Sequence, residues 1–291
     1  MKTSPENILQ ITSHRPYPLP SGPWVMRQTW NRLLFAHWPL PPGLLEPLIP
    51  QGLKLDTFDN KAYVSVLPFE MTNVRMRLLP AIPGASQMQQ INIRTYVLRD
   101  NKPGVYFLAL DTNHLPTVWL TRLMLGLPYH HAQMNVKSRF VGSGREIEFS
   151  SQRLDATGRG KTDMHAGSTP SLPLQNADSR SRLTSLQTPR RGGTLQVSYQ
   201  PSSDIWHAKP GSLDHWLTER YCLYTVNAGK LLRVDIHHQP WPLQFAKARF
   251  RQQTLLTPLK GKIGFELPLE APILHYAHRI DALLWLARIV R

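Results

Sequence analysis

The sequence predicts an α+β fold, mainly antiparallel β, closed or half-closed into a barrel. Three observations lead there. Segments of alternating apolar and polar residues recur along the chain. Several of them come in pairs joined by short turns of hairpin type. The 26 prolines among 291 residues favour short strands and frequent turns over long helices. No internal repeat appears, so residues 23–291 read as a single β-barrel domain after a flexible, Pro-rich leader at 1–22.

Trp24 to Phe35 forms a first element whose type, helix or strand, stays open. Pro41 and Pro42 then lead into a short helix over Gly43–Ile49, proline being tolerated in a first turn. Leu53–Phe58 and Ala62–Phe69 alternate around Asp59 and Asn60 and predict a hairpin, with a further strand over Met71–Leu79. Gln89–Val97 alternates, and Gly104–Asp111 is almost wholly apolar until its last residue. Val118, Trp119, Leu120, Leu123 and Met124 make a short apolar helix that Gly126 and Pro128 stop. Asn135–Val141 and Arg145–Phe149 pair through a Gly-Ser-Gly turn.

From about 151 to 193 the composition shifts to Ser, Thr, Gly, Arg, Gln and Pro, which predicts a disordered insert. Thr194–Tyr199 resumes as a strand, and Ser212 caps a short helix. Cys222–Val226 and Leu231–Ile236 form another hairpin. Phe265, Leu267 and Leu269 alternate, and Pro272–Val290 closes the chain.

A chain of this length with 41% hydrophobic residues buries a substantial core. Its lone cysteine, Cys222, excludes an internal disulfide and a cysteine-based metal site, and fits a reduced, cytoplasmic setting. The N-terminus lacks the features of a signal peptide, and no apolar run is long enough to span a membrane. The net charge of +15 raises a nucleic-acid reading, but the excess is scattered and no recognition motif accompanies it. Solvated surface charge is the simpler account, and it still attracts small anions.

The candidate site starts from Gln89–Val97. Gln90, Asn92, Arg94 and Tyr96 share one face of an extended chain, a set of directional donors and acceptors suited to gripping a ligand. Asp111 ends the buried strand that follows, and Tyr129, His130 and His131 emerge after the apolar helix. A buried guanidinium at Arg94 needs a partner, either Asp111 or an incoming carboxylate or phosphate. One of His130 and His131 is a candidate acid or base near neutral pH; the alternative is that one packs and the other is exposed. His237 and His238 invite comparison with His37 or His131 as metal ligands, yet adjacent histidines seldom bind one ion together. No metal is expected. Glu219 and Tyr221 either cap the pocket or pack a hairpin. With no Gly-rich phosphate loop and no nucleophile elbow, no cofactor is expected either.

Seven segments carry a family resemblance: His37-Trp38-Pro39, Leu53–Phe58, Asn92-Ile-Arg-Thr-Tyr-Val97, Pro103–Phe107, Leu127-Pro-Tyr129, Leu217–Tyr221 and His237–Pro242. In these the chain resembles the YqjF-like family of uncharacterised bacterial proteins, itself similar in fold to acetoacetate decarboxylase. The resemblance implies a cone-shaped antiparallel barrel with its site inside. Acetoacetate decarboxylase works through a lysine imine, activated by a second lysine. Here Gly126-Leu-Pro128 corresponds to the turn that precedes those lysines, and Tyr129 and His130 stand in their places. Neither forms a stable imine. Gln90 stands where the family commonly has glutamate, and a neutral amide orients a substrate without exchanging protons. The expected function is therefore binding of a small anionic organic molecule in the lumen, with acid–base catalysis of non-imine type. A non-catalytic small-molecule binder is the alternative, and a nucleic-acid-associated basic protein a weaker one. A homo-oligomer is compatible with all three.

Overall fold

The structure, a computed structural model, describes residues 4–80, 87–141, 144–154, 193–256 and 271–290. Along the chain run α1 (Pro5–Gln10), β1 (Met26–Leu40), α2 (Pro42–Leu45), β2 (Lys54–Leu55), β3 (Ala62–Met76), β4 (Gln87–Arg99) and β5 (Lys102–Thr112). Then come α3 (Leu115–Leu125), β6 (Tyr129–Val141), β7 (Gly144–Arg153), β8 (Thr194–Pro201) and α4 (Leu213–Thr218). The remainder is β9 (Cys222–Asn227), β10 (Lys230–His238), β11 (Leu243–Gln253), β12 (Ile273–Leu284) and β13 (Arg288–Ile289). Mostly strand with few short helices, this is the mainly antiparallel α+β class that the alternation predicts.

The pairings close on themselves. β1 pairs with β3, β3 with β4, β4 with β5, β5 with β9, β9 with β10, β10 with β12, and β12 with β1. Every contact in this barrel-like ring is antiparallel except β5–β9. A second circuit shares β12, β1, β3, β4 and β5 and returns through β6, β7, β8 and β11. The shared strands thus present one face to each circuit, as strand periodicity requires. Val66, Ile91, Ile93 and Ala109 pack with Ile147, Phe149, Leu195 and Val197 to fill the second circuit. Leu67, Phe69, Phe107 and Leu110, on the opposite face, look into the first ring.

Two glycines permit this closure. A Cβ on Gly104 would lie 2.7 Å from Cys222 Sγ and 2.9 Å from the Cys222 carbonyl oxygen, so only glycine lets β5 approach β9 there. Gly126 ends α3 in the left-handed region at φ +65°, and its amide donates to the Arg122 carbonyl.

Several local expectations change. β1 runs through Pro39 to Leu40, and β3 is continuous where two strands were expected. β2 pairs with β4, not β3; Asp59 and Asn60, both at positive φ, instead turn the chain between Phe58 and Lys61. In place of a loose leader, residues 4–22 carry α1, bury Ile8 and send Arg15 Nη1 to the Ile236 carbonyl at 2.8 Å. Ser151 and Arg153, expected in the insert, are buried in β7. The rest of the expected insert, 155–192, lies outside the described residues, as do Phe265, Leu267 and Leu269. Among the described residues no helix is long and apolar enough to cross a membrane.

Candidate functional site

The first ring encloses a cavity of about 250 Å³. The strand registers give it a direction. Gln87–Gln90 of β4, Met26 of β1, Met76 of β3 and Leu284 of β12 lie at one end, where α3 and residues 284–287 border the opening. Arg94, His238 and the residues just before β9 lie toward the other end, which α4 plugs: Arg94 Nη2 donates to the Leu217 carbonyl at 3.2 Å.

Gln90, Asn92 and Arg94 all line this cavity. Gln90 Nε2 donates to Asn92 Oδ1 at 2.7 Å and to the Tyr129 hydroxyl at 3.0 Å, tying β4 to β6 across the wall. Burial pushes the Tyr129 phenol well up from its ordinary pKa, so it stays protonated. Tyr96 shares the strand face but does not line the cavity. Its hydroxyl donates to the Leu217 carbonyl (2.9 Å) and lies 2.7 Å from Ser65 Oγ, itself 2.7 Å from His37 Nδ1.

Arg94 is the unusual group. Its guanidinium carbon sits 5.8 Å from the Phe35 ring centre and 5.7 Å from that of Tyr96. Nη2 bonds the Leu217 carbonyl and the guanidinium also meets the Tyr96 side chain, while its buried Nε has no hydrogen-bond partner among the described residues. Burial lowers its pKa, with Tyr96 opposing and Arg220 reinforcing, but an arginine starts so high that it remains a cation. Arg220, also in the wall, has by contrast a carboxylate partner: Nη1 meets Asp56 Oδ2 at 2.6 Å and Nε donates to the Trp216 carbonyl at 2.7 Å, although its buried Nη2 finds no hydrogen-bond partner among the described residues.

Asp111 does not serve Arg94. It is wholly buried and pairs with Arg153 (Nε–Oδ1 2.8 Å), whose Nη1 donates to the Leu255 carbonyl. The cause is a bulge. Arg94 pairs with Phe107 but Ile93 with Ala109, so Leu108 is extra. Beyond it Leu110 turns into the cavity and Asp111 onto the face of Ile91, in the second circuit. Neither His130 nor His131 lines the cavity. They pair with Asp111 and Thr112, following on from Tyr129 opposite Leu110.

The imidazole that does line the cavity is His238. Nδ1 is 2.7 Å from the Gln239 carbonyl, so that nitrogen carries the proton and Nε2 keeps its lone pair. Burial depresses its pKa to about 3, with His237, His14 and Arg15 adding to the effect. His237 faces elsewhere, its Nε2 2.8 Å from the Ile8 carbonyl and its Nδ1 3.1 Å from Arg15. Glu219 holds the wall from behind by accepting from the Trp241 amide at 2.9 Å and from the Tyr221 hydroxyl. Arg220, His238, Trp30 and Trp241 escape a reading of the β4 face because they lie far from it in sequence. A hint was the polar–aromatic run His237–Trp241, which has no strand alternation.

The DUF2071 family of uncharacterized conserved proteins matches residues 27–281. The chain belongs to that family. Consistent with this, the DUF2071 chain is 39% identical over 267 residues to the uncharacterized protein YqjF of Bacillus subtilis (strain 168), covering 92% of this chain and 93% of that one. In structure it is similar to the enduracididine biosynthesis enzyme MppR complexed with pyruvate, with a TM-score of 0.53, 11% identity, and 94% and 93% of the two chains covered. It is also similar to an acetoacetate decarboxylase-like enzyme from Sphingomonas wittichii RW1, at a TM-score of 0.52, 11% identity, and coverage of 96% and 98%. The fold is therefore acetoacetate-decarboxylase-like. Among the described residues, no lysine and no carboxylate lines the cavity of this DUF2071 chain.

Proposed function

We propose that this chain binds a small organic anion inside the first ring, with Arg94 as its charged contact and Gln90, Asn92 and Tyr129 as orienting groups. The observation that carries the reading is the Arg94 Nε: a buried, charged donor beside a cavity, with no carboxylate of the described chain to meet it. Leaving such a group unpaired is costly, by about 1–3 kcal/mol or more, and an anionic ligand relieves that cost. A pyruvate complex in a protein of similar fold lends support. Binding does not proceed through an imine, since the wall offers no amine among the described residues.

Acid–base turnover of the bound molecule is a second reading, favoured by His238, a neutral imidazole in the wall with its tautomer fixed by Gln239. His238, not His130 or His131, is then the base.

Native mass spectrometry of the protein as purified from its own cells tests the binding reading. The wild type is expected to carry an organic anion that Arg94→Gln has lost. Equal occupancy in both proteins, or only a neutral guest, overturns it.

A further inference from the structure

The cavity is polarised from end to end, and this narrows the ligand. Its charged groups and its imidazole, Arg94, Arg220 and His238, gather at the end that α4 closes, while the hydrogen-bonded Gln90, Asn92 and Tyr129 form a polar strip on one side. Away from that strip the side wall includes the apolar Val105, Leu110, Leu127, Leu223, Val234 and Ile236. The residues bordering the opening include exposed apolar side chains: Leu120 and Met124 of α3 are 57% and 60% accessible, and Leu286 70%. A small, doubly polar acid would meet its counter-charge at the floor and leave these walls without contacts. Water held against them would gain nothing either.

We infer that the ligand is an amphiphilic carboxylate, an aliphatic or aryl-aliphatic acid that enters head first, sets its carboxylate against Arg94 and lies along the apolar walls with its tail toward α3. This inference rests on the anion-binding reading above and adds the tail. The headgroup chemistry follows from Arg94, which among the described residues has no carboxylate partner, whereas Arg220 has Asp56. The tail chemistry follows from the predominantly apolar wall away from the Gln90–Asn92–Tyr129 strip, which offers dispersion and desolvation.

Titration calorimetry with butyrate, hexanoate and octanoate, and with 1-octanol as the uncharged control, tests both parts separately. Each buried methylene contributes about 0.8 kcal/mol, so affinity should rise about fourfold per carbon, or roughly fifteenfold from hexanoate to octanoate. Octanol should bind at least tenfold more weakly than octanoate. Arg94→Gln should erase that difference, and Ile236→Trp, which fills the tail space, should weaken octanoate while sparing butyrate. Equal affinity for butyrate and octanoate overturns the amphiphile while leaving an anion site standing. Octanol binding as tightly as octanoate, unaffected by Arg94→Gln, overturns the anion site itself. The wild-type series needs no variant to fold.

Discussion

Asp111 and Arg153 form a buried ion pair, Nε to Oδ1 2.8 Å, that joins β5 to β7 on the far side of the wall from the cavity. Both side chains are almost wholly withdrawn from solvent. Removing one partner leaves the other charge uncompensated, which typically costs about 3–5 kcal/mol. Arg153→Met is therefore expected to lower the urea midpoint sharply while leaving ligand affinity per folded molecule unchanged. A variant that kept its stability but lost ligand would put Asp111 back among the binding groups.

Closure of the first ring depends on Gly104. Its replacement by alanine drives a Cβ into Cys222 and Tyr224 at a backbone-to-backbone approach that cannot relax by a rotamer change. Overpacking of this kind costs about 1–3 kcal/mol. Hydrogen exchange should show β9 and β10 losing protection in Gly104→Ala before β7 and β8 do. Uniform loss across all four strands would argue against the β5–β9 seam as the weak point.

Several histidines are buried neutral. Burial holds His238 at about 3 and His237 at about 4, and pulls His37 well below its ordinary value, with His275 and Arg94 nearby. Unfolded, each would titrate near 6.5, so below that pH the unfolded chain binds protons that the native chain does not. Their contribution is thus complete above about pH 6.5 and is lost as pH falls toward 4 for His237 and 3 for His238. Urea unfolding at pH 7, 6 and 5 should show a steady fall that is shallower in His238→Gln. An acid limb of the same slope in that variant contradicts the assignment.

The cavity lining gives no support to imine chemistry. Acetoacetate followed by borohydride should leave the intact mass unchanged, because among the described residues no lysine borders the cavity. A stoichiometric reduced adduct, suppressed by octanoate, would contradict this.

How much of this was readable in the chain turns on what period two can and cannot carry. The face of Gln90, Asn92 and Arg94 is a property of one uninterrupted strand, and alternation identifies it directly. Asp111 shows the limit. Counting by twos from Val105 and Phe107, both in the cavity wall, puts Asp111 there as well; the extra residue Leu108 reverses the parity, and only pairing with β4 reveals the bulge. His130 is paired with Asp111 and shares that fate. Arg153 sits at the edge of a stretch whose composition reads as disorder, although the residue itself is buried in β7. Arg220 and His238 reach the floor because β9 and β10 complete the ring, a long-range pairing with no local signature.

Arg94 carries the binding proposal, and a high-resolution crystal structure of the protein as purified from its own cells tests it most directly. The prediction is density for an organic anion with an oxygen about 2.7–3.2 Å from the Arg94 Nε. An Arg94 Nε paired instead with a carboxylate of the chain, in a cavity filled by the protein's own side chains, would contradict it.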